Sequence, residues 1–488
     1  MEPRIPQGGR VSGTRLALLL GSWRHGGSRQ GGSRHGAADL AAAVELLVLD
    51  GQLPLGTRLP AERELVDALG VSRTLIGAAL DRLRADGLVA SKRGAGSWIA
   101  SPGTRGREPY LPDGGELIDF VHAAPAAVPG LLTAVDAARR KLAGHLGEHG
   151  YEVRGLLELR ERIARRYAER GLPTSPNQIM ITNGAHHAFM LCLRLLAGPG
   201  DRVLVEQPTY PNALEAIRAA HGIPIPVALD PAADRGWDLV GIEAALRQAS
   251  PRLAYLVVDF QNPTGLRLDA AGRERLSAAF TRARTPVVVD ETLVEVDLEG
   301  DPLDGPPPLA ASAGELGITL GSASKSLWGG LRLGWIRASE DLLGRLIGAR
   351  YAFDLGSPLF EQLVLAELLD DDGSILARRR EEFLACRDAL TGALTWYCPD
   401  WTFTIPAGGL SLWCKLPEPM STRLAVAAAN HGVQLAPGAR FGVNGGMETR
   451  LRLPFALPPD KLVEAVRRLS AAAASLHGPP PPTNSPIT

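Results

Sequence analysis

Between residues 118 and 475 the chain alternates short, largely apolar runs with helical patterns, and that alternation leaves few folds open. The run at 180–182 reads as a buried strand, and 203–206, 255–259, 287–290 and 318–320 read as further strands. Strands separated by helices predict a mostly parallel sheet with helices on both faces. From about residue 356 a smaller α+β unit is expected, with a helix over 378–394, strands at 409–416 and 449–453, and a closing helix over 460–473. A chain of 488 residues has room for two to four domains at roughly 100–200 residues each.

Upstream of the body the pattern changes. Residues 1–36 hold six arginines and one acid and are rich in Gly and Ser, so they read as a basic flexible arm. Within that arm the apolar stretch 16–23 is a candidate docking segment. Residues 102–117 hold seven prolines and glycines counted from Pro102 to Gly115, which marks a linker. The Pro-rich residues 476–488 read as an unstructured tail. No apolar run reaches the roughly 18–20 residues of a membrane span, and none resembles a secretion signal. Cys192, Cys386, Cys398 and Cys414 form no C-x-x-C pair, so reduced structural thiols in a cytoplasmic protein are expected, and no metal site. Lys plus Arg number 52 against 53 for Asp plus Glu, and a near-neutral total argues against nucleic acid. The segments say otherwise.

Residues 37–101 read as a winged helix-turn-helix. A helix over 37–50 precedes a Pro/Gly turn. A second helix over 61–69 stops at Gly70, and Ser72 caps a third over 73–86, with Leu75, Ala79, Leu80 and Leu83 inward. Strands at 88–91 and 97–100 flank a basic hairpin turn containing Lys92 and Arg93. The start of the third helix offers free N–H groups to phosphate. The strings Gly56-Thr57-Arg58-Leu59-Pro60-Ala61-Glu62-Arg63 and Gly70-Val71-Ser72-Arg73-Thr74 resemble the GntR family of repressors. That resemblance implies DNA contacts by Arg63, Ser72, Arg73, Thr74, Lys92 and Arg93. The family's further arginine, one turn on, is Gly77 here.

In the body, Gly321-Ser322-Ala323-Ser324-Lys325-Ser326 sets one lysine among small residues, with Arg332 seven positions on. A Schiff-base lysine needs open approach, and hydroxyls with an arginine suit a phosphate. Together with Asn262-Pro263-Thr264-Gly265 and Asp290, the string resembles the fold-type I aminotransferases dependent on pyridoxal phosphate. The resemblance implies that Lys325 carries the cofactor, Asp290 pairs with its ring nitrogen and Asn262 bonds its phenolic oxygen. It further implies that Gly184, Ala185, Ser322 and Arg332 cup the phosphate and Tyr210 stacks on the ring. Tyr151 would reach the partner subunit's phosphate, and Arg452 would clamp a substrate or effector carboxylate. Leu293 stands where the family usually places a tyrosine, which puts efficient transamination in doubt.

Head and body together are similar to the MocR-type transcriptional regulators. Such a chain is expected to be a cytoplasmic, head-to-tail homodimer on promoter half-sites of double-stranded DNA, each head resting on the other subunit. An amino acid, an amine or pyridoxal phosphate would be the effector. The alternative is a working aminotransferase that keeps an inherited head.

Overall fold

A computed structural model describes residues 9–21, 23, 33–49, 52–53, 56–92, 96–100, 117–229, 236–370 and 373–476. Arg93, linker residues 102–116, the tail from 477 and Arg4, Arg24 and Arg29 of the arm lie outside the described residues.

Among the described residues the head holds four helices: α1 (Gly13–Leu20), α2 (Ser33–Leu49), α3 (Glu62–Leu69) and α4 (Arg73–Ala85). The hairpin β1 (Val89–Lys92) and β2 (Gly96–Ile99) completes it, with Lys92 opposite Gly96. Helix α3 ends where Gly70 turns left-handed (φ 62°), a conformation costly for any other residue. Ser72 Oγ accepts from Leu75 N at 3.2 Å and so starts α4. The inward face of α4 is Ile76, Ala79, Leu80 and Leu83; the expected Leu75 is only half-buried.

Residues 13–20, expected to belong to a flexible arm, form an ordered helix. Leu16, Leu19 and Leu20 recur at helical spacing and are buried in the head core with Leu40, Val44 and Leu65. Ser12 caps the helix, and Gly13 N donates to Glu64 Oε1 at 2.7 Å, tying α1 to α3. The stretch 16–23, the candidate docking segment, supplies this buried face; its helical form is what the arginine-rich composition obscured.

The body is built on a seven-stranded sheet in the order β4-β10-β9-β8-β7-β5-β6. Its strands are β4 (Ile179–Thr182), β5 (Arg202–Gln207), β6 (Ile223–Ala228), β7 (Leu253–Leu256), β8 (Val287–Asp290), β9 (Gly317–Ser322) and β10 (Gly334–Arg337). β10 alone runs opposite to the other six strands. The apolar residues of β7, β8 and β9 are essentially inaccessible, as sandwiching between helices requires. The strand expected over 255–259 ends at Leu256, and the chain then turns into the loop that carries Asn262.

The smaller unit pairs β11 (Ser411–Lys415) with β13 (Arg450–Pro454), under the helices Ser374–Tyr397 and Pro459–Ser475. Its boundary differs from the expected 356. Helix Leu359–Leu369 buries Leu363, Val364 and Leu365 with Leu159 and Ile179 of the large unit. Conversely, β3 (Ile118–Phe120) pairs in parallel with β12 (Val433–Leu435) of the small unit. Each segment follows the apolar surface it can cover.

Within this chain the head packs against the small unit. Val426 of helix Ser421–Asn430 joins the head's core, and Leu19, Leu46 and Leu47 face Thr422, Pro437 and Ala439. No helix of the described residues is long and apolar enough to cross a membrane. The four cysteines are free and buried.

Candidate functional site: a lysine-centred cavity at the strand ends

Open α/β sheets place ligands beyond the carboxyl ends of their strands. A cavity of about 400 Å³ lies there. It is lined by Lys325, Asp290, Asn262, Gly184, Ala185, Tyr210, Ser322, Arg332 and Arg452, nine of the expected residues drawn from five strand ends and two units.

Each arrives there by local structure. Strand β4 ends at Thr182; Gly184 follows with φ 92° and opens the helix Ala185–Leu196. A Cβ on Gly184 would lie 3.1 Å from Arg332 Nη2, so the glycine leaves a cradle between backbone N–H groups and a guanidinium. Gly334 packs directly against this turn: a Cβ there would come within 2.6 Å of the Gly184 carbonyl carbon. Arg332 is itself left-handed (φ 53°), an uncommon backbone for arginine, and donates to Gly329 O and Asn183 O. Ser322 Oγ donates to Leu333 O at 3.1 Å and accepts from Ser324 N at 3.2 Å, which shapes the turn into Lys325.

Gln261 ties two strand ends together. Its Nε2 donates to Pro208 O (2.8 Å) and to Glu206 Oε2 (3.1 Å), linking the Tyr210 loop after β5 to the Asn262 loop after β7. Burial raises Glu206 to about 8.

Lys325 Nζ donates to Ala123 O at 2.8 Å. Burial first, and then repulsion from Arg452, lower its pKa to about 8 against the opposing pull of Asp290. Arg452 is 6% exposed, and its guanidinium lies 5.1 Å from the centre of the Phe441 ring. It donates to Val121 O and, at 3.4 Å, to Asn262 Oδ1, while its buried Nε has no partner. Burial and repulsion from Arg440 bring Arg452 down to about 10. A carboxylate would satisfy such a group on both counts.

Tyr255 was missed from sequence. Its hydroxyl donates to Asp290 Oδ2 at 2.7 Å, and Thr292 N donates to Oδ1 at 3.0 Å. The signal was present in the register: Tyr255 pairs with Val288, so Asp290 stands diagonally across the same sheet face. Burial drives the Tyr255 hydroxyl well above its ordinary range, so it remains a donor. Arg440, Phe441, His122 and Ser324 also line the cavity without having been anticipated.

Tyr151, expected at a cofactor phosphate, lies apart from the cavity, and neighbouring residues divide between packing and the cavity wall. Tyr151 is 60% exposed, stacks obliquely on His149 and does not reach this chain's cavity. His187 Nδ1 accepts from Asn183 N and its ring faces Asp354, a packing role, whereas His186 lines the cavity. Gly408 is required by backbone geometry, since a Cβ would meet Phe260 at 2.4 Å. Leu293 is buried in the cavity wall and offers no donor. Among the described residues no cluster of three metal-ligating side chains exists. In the head, Arg63, Ser72, Arg73, Thr74 and Lys92 are all exposed, at the start of α4, on α3 and at the wing. Arg73 Nε lies 3.5 Å from Glu62 Oε2.

The family of aminotransferase class I and II matches residues 129–469, and the gntR family of bacterial regulatory proteins matches residues 37–99. The 2-aminoadipate transaminase of Thermus thermophilus is 34% identical over 306 residues, covering 62% of this chain and 76% of that protein. The uncharacterized HTH-type transcriptional regulator YdcR of Escherichia coli is 27% identical over 434 residues, covering 82% of this chain and 91% of the relative. The crystal structure of LysN, the α-aminoadipate aminotransferase of Thermus thermophilus complexed with N-(5'-phosphopyridoxyl)-L-leucine, superposes with a TM-score of 0.67 at 32% identity. That superposition covers 74% of this chain and 92% of LysN. The cavity's lysine, carboxylate and glycine-opened cradle beside Arg332 fit pyridoxal phosphate as cofactor. The chain belongs to the aminotransferase class I and II family, and its gntR-family head makes it a MocR-type regulator chain.

Proposed function

We propose that the protein binds promoter DNA through its head and adjusts that binding when its pyridoxal phosphate site takes up an amino acid, an amine or the cofactor itself. The carrying observation is the union of an exposed helix start at Ser72, Arg73 and Thr74 with a lysine-centred cavity in one chain.

When bound, pyridoxal phosphate supplies an aldehyde that captures primary amines and a ring that withdraws electrons. Lys325 is the amine that would hold it. Asp290, fixed by Tyr255 and Thr292, would keep a proton on the ring nitrogen. Asn262 would donate to the phenolic oxygen, and Tyr210 would stack on the ring. Gly184, Ala185, Ser322 and Arg332 would hold the phosphate. Arg452 takes the carboxylate of an amino-acid ligand in a bidentate fork. Tyr151, exposed on its own chain, reaches the site of a second copy in a head-to-tail homodimer. The protein works in the cytoplasm.

In the head, Arg63, Ser72, Arg73, Thr74, Lys92 and Arg93 contact phosphates and base edges of double-stranded DNA. The Arg73–Glu62 pair is exposed and contributes about 0–1 kcal/mol, so Arg73 can leave it for DNA at little cost.

Transamination is the second reading, favoured by the 34% identity to a transaminase. Leu293 weighs against it, because the phenolic oxygen then lacks one donor. Footprinting of the protein's own upstream region, with and without pyridoxal phosphate, separates the two. Paired protected half-sites that change with cofactor are expected. No protection at low salt, together with rapid accumulation of pyridoxamine phosphate from amino acids, would hand the chain to the enzyme reading.

A further inference from the structure

One short stretch of the small unit, residues 437–448, touches three parts of the molecule at once. Its inner side belongs to the cavity wall. Arg440 and Phe441 line the cavity, and the Phe441 ring lies under the Arg452 guanidinium. Phe441 also meets the Trp413 ring edge-on, at 5.4 Å between centres.

The same stretch is tied to the loop that carries Tyr210. Thr209 N donates to Phe441 O at 3.0 Å, and Val443 N donates to Gln207 Oε1 at 3.2 Å. Arg218, on the helix that follows Tyr210, donates to Val443 O. A ligand that engages Arg452 therefore acts on a group stacked on Phe441, and one that engages Tyr210 acts on a residue whose neighbour Thr209 is bonded to Phe441.

Its outer side carries the head. Arg15 Nη1 of α1 donates to Asn444 Oδ1 at 3.4 Å. Gly445 (φ 75°) lets the chain pass so close that a Cβ would lie 2.9 Å from Leu18 O. Gly21, at the end of α1, is pressed against Glu448, which also accepts from Thr422 N and Oγ1. Arg440 lines the head–body cleft beside Leu19 and Leu47 as well as the cavity.

Between its two sides the stretch has little room to give. Phe441 is fully buried, and a Cβ on Gly438 would come within 2.3 Å of Arg450 O. Close-packed segments shift as units rather than deform. A ligand regulates only through an element whose arrangement both sites bias.

We propose that residues 437–448 transmit occupancy of the cofactor cavity to the DNA-reading head, with α1 as the receiving part and the Arg15–Asn444 and Leu18–Gly445 contacts as the joint. This rests on the reading of the chain as a cofactor-responsive regulator. It also gives the N-terminal helix a role that a DNA-reading head does not otherwise need.

The test is amide hydrogen exchange on the full chain, first stripped of pyridoxal phosphate and then reloaded with it, with cofactor absorbance as the measure of loading. Exchange reports local opening, so a transmitted change registers as altered protection. Peptides covering 437–448 and 13–20 should change together by roughly fivefold or more in rate, the low end of ordinary coupling. The α4 core should stay constant. In the Arg15→Ala/Asn444→Ala variant, cofactor absorbance and the response of 437–448 should persist while the response of 13–20 falls to within about twofold of none. Asn444→Ser alone should be intermediate. An unchanged 13–20 in the loaded wild type, or an undiminished response in the double variant, overturns the proposal. No DNA enters this experiment, so its outcome is separate from that of the footprint.

Discussion

The pH dependence of cofactor uptake follows from where Lys325 sits. An amine attacks an aldehyde only when neutral. Burial and the nearby Arg452 lower Lys325 from 10.5 to about 8. At pH 7 the neutral fraction is then about 300 times that of an ordinary lysine. The assay is the rate of pyridoxal phosphate uptake by stripped protein, read from the growth of the lysine–cofactor absorbance. Readings between pH 7 and 10 avoid the phosphate's own titration near 6. The rate should climb steeply toward pH 8, bend there and flatten above pH 9. Arg452→Gln removes a like charge, so the bend should move upward; it should stay below 10.5, because burial is the larger cause. A bend at 10 or above in the wild type, or a downward move in the variant, refutes the electrostatic account. Stability carries the same signature. Between pH 8 and 10.5 the unfolded chain keeps this proton and the folded chain sheds it, so stability of the stripped protein should rise with pH across that window. Below pH 8 both states hold the proton, and the folded state carries the whole cost of a buried ammonium.

Tyr255→Phe removes a hydrogen bond to a buried carboxylate, and such bonds contribute about 1.5–3 kcal/mol. Denaturation should show a loss of that size in stripped protein and a smaller one in loaded protein, where the ring nitrogen's proton supports Asp290; equal losses in the two forms would contradict the positioning role. Arg73→Ala should weaken DNA binding and lower the log–log salt slope by about 0.9 for one lost phosphate contact. An unchanged slope would mean that Arg73, which is 84% exposed, points away from the duplex.

Local physics made much of this molecule legible. The run Val287-Val288-Val289 ahead of Asp290 could only be a buried strand delivering a carboxylate to its end, and β8 spans those residues. Gly70 and Ser72 punctuated the head because a left-handed stop and a capped start leave few residue choices. What escaped was set by long-range pairing. Ile118 finds Val433 across more than three hundred residues, so β3 joined a unit its position does not suggest. Tyr255 reads as one more apolar strand residue until register places it across from Asp290.

The arginine-rich composition of residues 1–36 obscured the helical form of α1. Leu16, Leu19 and Leu20 of α1, and Trp23 just beyond it, are 0–7% exposed in the head core. Arginine content reports the solvated face of a helix and is silent about the face that packs. A basic arm and a docked helix are therefore compatible readings of one composition, and only the i, i+3, i+4 spacing separates them. That spacing puts Arg15 on the side facing Asn444, where the head meets the cavity wall. Its pKa is lowered by burial first and by Arg218 next, so part of the arm's positive charge is spent against the body instead of being offered to DNA. Counting the charges of residues 1–36 as attraction to phosphate thus overstates it, and deleting residues 1–8, which leaves the Ser12 cap and α1 in place, should cost DNA affinity without uncoupling the head from the body.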